Sequence, residues 1–321
     1  MSPVDTPTPA AAPHLARCLC GGRHLERAWE YFRPPPGERP VPPGPGGYHR
    51  RVLRCLACGH LLLDPGVPVE HLEGHLRVNA RDTARLQARF AEVELLPAER
   101  SDTRARVARI GAFTTTWMNG PAWEGAPRRA LDVGCGLGLV AAGLAGAGWA
   151  VTALDADPRM AEIARCMGEV ATVCAPIGPR ANVGRFELVT LTDVLTDVAD
   201  PVALLTAASG FVAPGGVLYL DVFDADAAAA AGPERPEFHI QRLHCFTAAS
   251  LGMLIGASGV STLRIDRYAD PSGRFRLGAF CTVPVQAGPD EDRRLLRQLA
   301  TARPGGGAAA WAALEEPVSE A

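Results

Sequence analysis

Leu131-Asp132-Val133-Gly134-Cys135-Gly136-Leu137-Gly138 is the stretch of this 321-residue chain whose reading decides its fold. It closes an apolar run and opens a small-residue one, which predicts a strand, a tight glycine turn and a helix. Glycines in such a turn let the backbone approach a bound molecule closely. The helix beyond offers free N–H groups and the positive end of its dipole. The spacing is informative: a dinucleotide fingerprint places its third glycine three residues after the second, but here that position is Leu139 and the third glycine is Gly138. About 20 residues on, Val151-Thr-Ala-Leu-Asp155 ends a second strand with a carboxylate where a ribose diol would lie.

Outward from this turn, short apolar runs predict strands at Ala130–Val133, Ala150–Leu154, Ala171–Cys174, Leu188–Thr192, Val217–Val222, Ser261–Arg267 and Gly278–Val285. Helices are expected near 138–147, 158–167, 200–213 and 247–258. Such alternation predicts an α/β fold, a mostly parallel sheet covered on both faces. Only Asp270-Pro-Ser-Gly273 separates the last two strands, so the final one is expected to enter antiparallel. Upstream, Leu86, Phe90 and Val93 mark one helix ending at Pro97. Val107, Ile110 and Trp117 mark a second, capped by Ser101-Asp102 and ending at Asn119-Gly120-Pro121. Ala225–Gly232, nearly all alanine, is read as part of a lid or as a plain helix.

The octet LDVGCGLG with Asp155 resembles the cofactor-binding pattern of class I S-adenosylmethionine-dependent methyltransferases. Two further segments are similar to that family: Phe186–Pro201, like its fourth strand and following helix, and Phe211–Asp221, with the Pro-Gly-Gly turn leading into its fifth strand. The resemblance covers roughly 101–285 and implies a Rossmann-like, seven-stranded sheet with an antiparallel last strand, binding S-adenosylmethionine. It implies that Gly134, Cys135, Gly136 and Gly138 face the methionine part of that cofactor. By the same resemblance Asp132 orients the loop or the amino group, Asp155 holds the ribose hydroxyls, and Ala156 and Pro176 are further cofactor-binding positions. Thr192 and Asp193 then sit at the donor end. The family's Glu-Val-Leu-Glu-His segment reads Asp193-Val-Leu-Thr-Asp197 here, so the family histidine has no counterpart. No acidic residue follows the third strand (Cys174-Ala-Pro-Ile-Gly178), which leaves adenine recognition there to backbone groups. The Asn-Pro-Pro-Tyr type signature of nucleic-acid amine methylases is absent.

Cys55-Leu-Ala-Cys58-Gly59 reads as a zinc knuckle, and Cys18-Leu-Cys20-Gly21-Gly22 as its partner pair, one residue short of the usual spacing. The four thiolates suit a structural Zn2+, with His24 or His60 as possible substitutes, against a reading as free cysteines in a loop-rich lid. The segment between them is short on periodicity: Arg33–Gly47 alone holds seven Pro and four Gly, so no regular structure is expected there. This module with Leu61–Pro65 also looks like the small zinc-binding domain that precedes some biosynthetic methyltransferases. The expected organisation is a leader over 1–13, a zinc-binding module over 14–75, a helical connector over 76–120, the methyltransferase domain over 121–285 and a tail over 286–321.

All 32 basic residues are arginine, which excludes a Schiff-base lysine and a Walker-type phosphate loop. The net charge of −3 argues against a large nucleic-acid footprint. Between Asp132 and Asp155 lie 22 uncharged residues, long enough for a span of about 20, but their glycines favour strand, turn and helix in a water-soluble core. Nine cysteines and no export signal suggest a reducing cytoplasm. Methyl transfer needs alignment above all, with a base only where the acceptor must lose a proton. Among Asp193, Asp197, His239 and His244, the expected catalytic residues are Asp193 and His244, acting on a small-molecule acceptor. The competing readings are an RNA methyltransferase gripping its substrate through the zinc module, and a cofactor-binding relative without catalysis.

Overall fold

The computed structural model describes residues 17–38, 47–69, 72, 82–120 and 123–284. The expected leader, residues 39–46 of the proline-rich stretch, Arg81, Pro121 and the tail lie outside the described residues. Antiparallel strands β1 (Leu25–Tyr31), β2 (Arg50–Cys55) and β3 (Leu61–Asp64) come first, then helices α1 (Thr83–Glu94) and α2 (Asp102–Trp117). Strand and helix then alternate: β4 (Arg129–Val133), α3 (Leu139–Gly146), β5 (Ala150–Asp155), α4 (Pro158–Met167), β6 (Ala171–Cys174), β7 (Phe186–Thr192), α5 (Pro201–Ser209) and β8 (Val212–Phe223). The described chain closes with α6 (Ala225–Ala231), β9 (His244–Cys245), α7 (Ala248–Ala257), β10 (Ser261–Ala269) and β11 (Phe275–Thr282).

Helix starts are written in the sequence as side chains that satisfy free backbone donors. Ser101 accepts the Arg104 N–H at 3.3 Å, Asp157 that of Arg159 at 3.0 Å and Asp200 that of Ala203 at 2.9 Å. Pro158 and Pro201 occupy the first helical position, where no N–H is needed. Thr247 and Ser250 form a reciprocal capping box on α7.

The seven-stranded sheet has the order β10-β11-β8-β7-β4-β5-β6, parallel from β8 to β6, with β11 antiparallel between β8 and β10, as the sequence predicts. Its central strands alternate between two cores. Leu188, Val217 and Tyr219 pack with Ile110, Val140 and Leu144 under α2 and α3, while Val189, Leu191, Leu218 and Leu220 pack with Leu205, Leu251 and Leu254 under α5 and α7. Burying each such aliphatic side chain contributes about 1.5–3 kcal/mol.

The N-terminal segment departs from expectation, because β1 and β2 are regular strands where none was predicted. Leu25–Tyr31 and Arg50–Cys55 interleave charged residues with few apolar ones, and flanking prolines and glycines obscure the alternation. These strands form a second sheet, β1-β2-β3-β9, whose last strand comes from beyond β8. One face, with Val52, Leu61 and Leu63, packs on Phe223, Ala225 and Phe238; the opposite face turns Leu53 and Leu62 toward the cysteines. A buried ion pair adds to the join: Arg50 Nη2 lies 3.0 Å from Glu38, while Arg50 Nη1 donates to the Phe238 carbonyl and the Ile240 N–H donates to Glu38 at 2.6 Å. Ala225–Ala231 is a plain helix, capped by Asp224.

Candidate active site and metal centre

The sheet order reverses direction at β4, which has β5 on one side and β7 on the other, and a ligand crevice forms at the carboxyl ends of such strands. There the Gly134 N–H donates to the Leu154 carbonyl at 2.7 Å and the Gly136 N–H to Asp155 Oδ2 at 2.9 Å. Asp155 Oδ1 accepts the Asp157 N–H at 2.8 Å, so one carboxylate fixes the glycine turn and the next helix start together. Each of its oxygens keeps a further lone pair for a hydroxyl. Burial raises the Asp155 pKa, and the N–H groups it accepts offset part of that rise.

The glycines serve separate ends. Gly138, at φ +80°, would bring a Cβ within 2.5 Å of Ala164 Cβ, so it is required by the seating of α4. Gly136, at φ +53°, has nothing within 4 Å of an added Cβ, so its backbone borders open space. Cys135 lies half-buried inside the turn, and burial pushes its thiol pKa up, which keeps it a packed thiol. Ala156 and Pro176 are exposed residues just past β5 and β6 on the same edge.

Asp132 is buried at the end of β4. Its Oδ1 accepts the Thr190 hydroxyl at 2.7 Å, and its Oδ2 has no hydrogen-bond partner among the described residues. Burial raises its pKa to about 7, with Thr190 and the Ala141 N–H offsetting part of the rise. An orphaned carboxylate oxygen under the glycine turn suits a ligand that brings a donor. The linkage is testable. Below about pH 4 Asp132 carries a proton in the folded and unfolded chain alike, while between about 4 and 7 only the folded chain keeps it. Stability from this group is therefore present at low pH and lost as pH rises through 7. Asp132→Asn should remove that loss, its stability relative to wild type growing by about 1.4 kcal/mol per pH unit across the window, measured by urea unfolding between pH 5 and 8.

Beyond β7 the backbone turns at Asp193, a non-glycine residue at φ +64°. Its carboxylate belongs to a closed ring of ion pairs that the sequence reading missed. Arg276 Nη2 donates to Asp193 Oδ1 at 2.6 Å and Arg276 Nε to Asp221 Oδ1 at 2.7 Å. Arg106 completes the ring, donating to Asp193 Oδ2 and to Asp221 Oδ2 at 3.2 Å each. The Tyr219 hydroxyl at 2.9 Å and the Tyr268 hydroxyl also donate to Asp221, and the Arg109 guanidinium lies 3.5 Å from the Tyr268 ring centroid. Burial works to raise the Asp193 pKa, but Arg276 and Arg106 outweigh it and hold the carboxyl well below the usual range. The only sequence signals for the ring were the lone acid in the apolar run Val217–Phe223 and the lone arginine in Phe275–Phe280.

His244 is buried in β9, its Nδ1 3.0 Å from His60 Nε2, and His60 Nδ1 is 3.1 Å from Ser250 Oγ. Its N–H donates to the Thr196 carbonyl at 3.0 Å. Asp193 and His244 thus lie on the same edge of the fold, each held in its own network. Asp197 pairs through both oxygens with Arg242 Nη1 at 2.7 Å.

The four cysteines converge. Cys18 and Cys58 sulfurs are 3.5 Å apart, those of Cys20 and Cys55 are 3.6 Å apart, and all four lie within 4.8 Å of one another. A tetrahedral zinc with Zn–S of about 2.3 Å needs sulfurs about 3.8 Å apart, so the set fits that ion, whereas a disulfide needs about 2 Å. Burial works to raise the Cys55 pKa, yet the N–H groups of Cys58 and Ala57 with the Cys20 and Cys18 thiols outweigh it and bring it down to about 7, whereas burial raises the Cys18 thiol and pushes Cys58 up to about 11, so of these three only Cys55 favours the thiolate. His60 is engaged with His244 and Ser250 rather than with the sulfurs.

A family profile described as a methyltransferase domain matches residues 100–263, just over half of the chain. The chain belongs to that family. Among curated proteins, this methyltransferase-family chain is 34% identical over 108 residues to a ubiquinone biosynthesis O-methyltransferase of Xanthomonas oryzae pv. oryzae, covering 32% of this chain and 45% of the relative. The Xanthomonas axonopodis pv. citri protein of the same name is 34% identical over 113 residues, 33% of this chain and 47% of that protein. The chain thus spans about half the length of the curated relatives it matches. Among solved structures it is similar to the Burkholderia thailandensis 1,6-didemethyltoxoflavin-N1-methyltransferase with bound 1,6-didemethyltoxoflavin and S-adenosylhomocysteine (20% identity, TM-score 0.48, 73% of this chain and 96% of that one). It is also similar to the magnesium protoporphyrin IX methyltransferase of Synechocystis PCC 6803 with bound S-adenosylhomocysteine (17% identity, TM-score 0.45, 57% and 86%). Among the described residues, no helix is long and apolar enough to cross a membrane.

Proposed function

We propose that this methyltransferase-family chain transfers the methyl group of S-adenosylmethionine to a small-molecule acceptor of a biosynthetic pathway. The observation that carries this reading is the crevice edge: the orphaned Asp132 Oδ2, the open left-handed Gly136 and the Asp155 carboxylate beneath it. The matched family and the likeness to O-methyltransferases support it. S-adenosylmethionine supplies a methyl group on a sulfonium, already electrophilic. The chain's own residues have to seat and align it. Asp132 would receive the amino group, Gly134, Cys135, Gly136 and Gly138 would border the methionine part, and Asp155 with Ala156 would hold the ribose. Pro176 would flank the adenine, and Thr192 and Asp193 the donor end.

Asp193 is tied to two arginines and His244 to His60, so we assign both to positioning rather than to proton removal. That assignment suits in-line displacement, which depends on holding two reacting centres in register. We further propose that Cys18, Cys20, Cys55 and Cys58 hold a structural Zn2+ and that the module they close covers the acceptor side of the crevice, in a cytoplasmic enzyme.

Calorimetry with S-adenosylmethionine and S-adenosylhomocysteine tests the reading, with both expected to bind. Failure of both to bind would sink it. Asp155→Ala removes the acceptor of two backbone N–H groups and the proposed diol contact, and is expected to weaken binding at least tenfold, about 1.4 kcal/mol.

A further inference from the structure

We propose that the acceptor carries an anionic oxygen group, a carboxylate or a phosphate ester, and that Arg276 Nη1 and Arg242 Nε are the N–H donors that seat it. This rests on the methyltransferase reading and names the substrate class of the same site.

Native proteins leave few buried polar atoms without partners, and a concentration of them marks a place where something else supplies the bonds. Among the described residues, Arg276 Nη1 and Arg242 Nε are two such atoms, and both arginines act on the Asp193 carboxylate at the donor end. Arg276 is fully buried, and its other two nitrogens are spent on Asp193 and Asp221. Arg242 spends Nη1 on Asp197 and leaves Nε over. The two guanidinium groups share one neighbour, Phe223, whose ring centroid lies 4.4 Å from the Arg276 Cζ and 4.7 Å from that of Arg242. Arg276 also grips Asp193, just past β7, so the pair stands beside the proposed methyl donor rather than at a remote surface.

The chemistry of the leftovers selects the ligand. The nearby carboxylates already accept from arginines or tyrosines, so what remains on the arginines are donors, and a ligand must bring an acceptor. Donors on a guanidinium bind an ionised acceptor roughly twice as strongly as a neutral one, and the planar fork suits carboxylate or phosphate. At neighbouring His239 burial lowers the pKa to about 4, and the positive field of Arg50, Arg242 and Arg274 adds to the shift.

The test uses the full chain with S-adenosylhomocysteine and three probes of one shape: benzoate, phenyl phosphate and neutral benzamide. Calorimetry should show at least one anion binding about tenfold or more tightly than benzamide, the scale of one charge-assisted hydrogen bond. The better of the two anions tells carboxylate from phosphate. Arg242→Gln should erase the preference while S-adenosylhomocysteine affinity stays unchanged. Benzamide matching both anions, neither anion binding at tens of millimolar, or a preference that survives Arg242→Gln overturns the proposal. Absence of S-adenosylhomocysteine binding instead counts against the methyltransferase reading, and the anion preference is then read on the free protein.

Discussion

Arg276→Met should lower folding stability by about 3–5 kcal/mol, a large share of the 5–15 kcal/mol that holds a typical domain together. The reason lies in what is left behind. Asp221 is fully buried and accepts from Arg276, Arg106, Tyr219 and Tyr268. Without Arg276, two carboxylates share one arginine of the ring, and Asp221, the one that water does not reach, is left an undercompensated buried charge that costs far more than the intact pair contributes. Arg276→Met combined with Asp221→Leu should therefore recover much of the loss, because it removes the stranded charge as well. Urea unfolding of both single variants and the double gives the coupling directly, and simple additivity would show that the ring does not act as a unit.

Changing Cys55 and Cys58 together to serine should abolish metal binding, from one zinc per chain by elemental analysis to none. Structural zinc contributes on the order of 10–16 kcal/mol of apparent binding free energy in small finger peptides, so a module built around it is expected to open without it. Amide exchange should rise by orders of magnitude across 50–64 and also at 243–245, because Leu63 donates its N–H to the Leu243 carbonyl at 2.9 Å and Leu62 pairs with His244. S-adenosylhomocysteine affinity should remain within a few-fold of wild type, since among the described residues the glycine turn shares no hydrogen bond with the module. Retained metal, or protection at 243–245 unchanged after metal loss, would contradict this account.

The parallel half of the fold was legible because its signals are local. The Gly134–Gly138 turn, the carboxylate ending β5 and the Pro-Gly-Gly approach to β8 each combine a backbone requirement with a fixed spacing, and the structure places their strands side by side. The four cysteines were legible as a set for the same reason, and the structure brings their sulfurs together. β1 and β2 were not, since charged residues between the few buried ones blur a two-residue period. β9 could not be found by any pattern: two residues become a strand only because β3 has an edge to offer. The ion-pair ring is of that kind too. Arg106 reads as one more polar position on a helix, and only tertiary contact shows it reaching Asp193 and Asp221.

That two-residue strand bears on how the protein is made. His60 and His244 meet across 184 positions of chain. At about 5–20 residues per second of synthesis, roughly ten to forty seconds separate the emergence of the two partners from the ribosome. Throughout that interval β3, whose four residues are all buried in the finished protein, has an open apolar edge. The N-terminal segment therefore cannot complete its own sheet until β4 to β8 of the other sheet have emerged. Its dependence on a late-arriving strand makes the nascent chain, more than the finished enzyme, the stage at which this fold is exposed to mispairing.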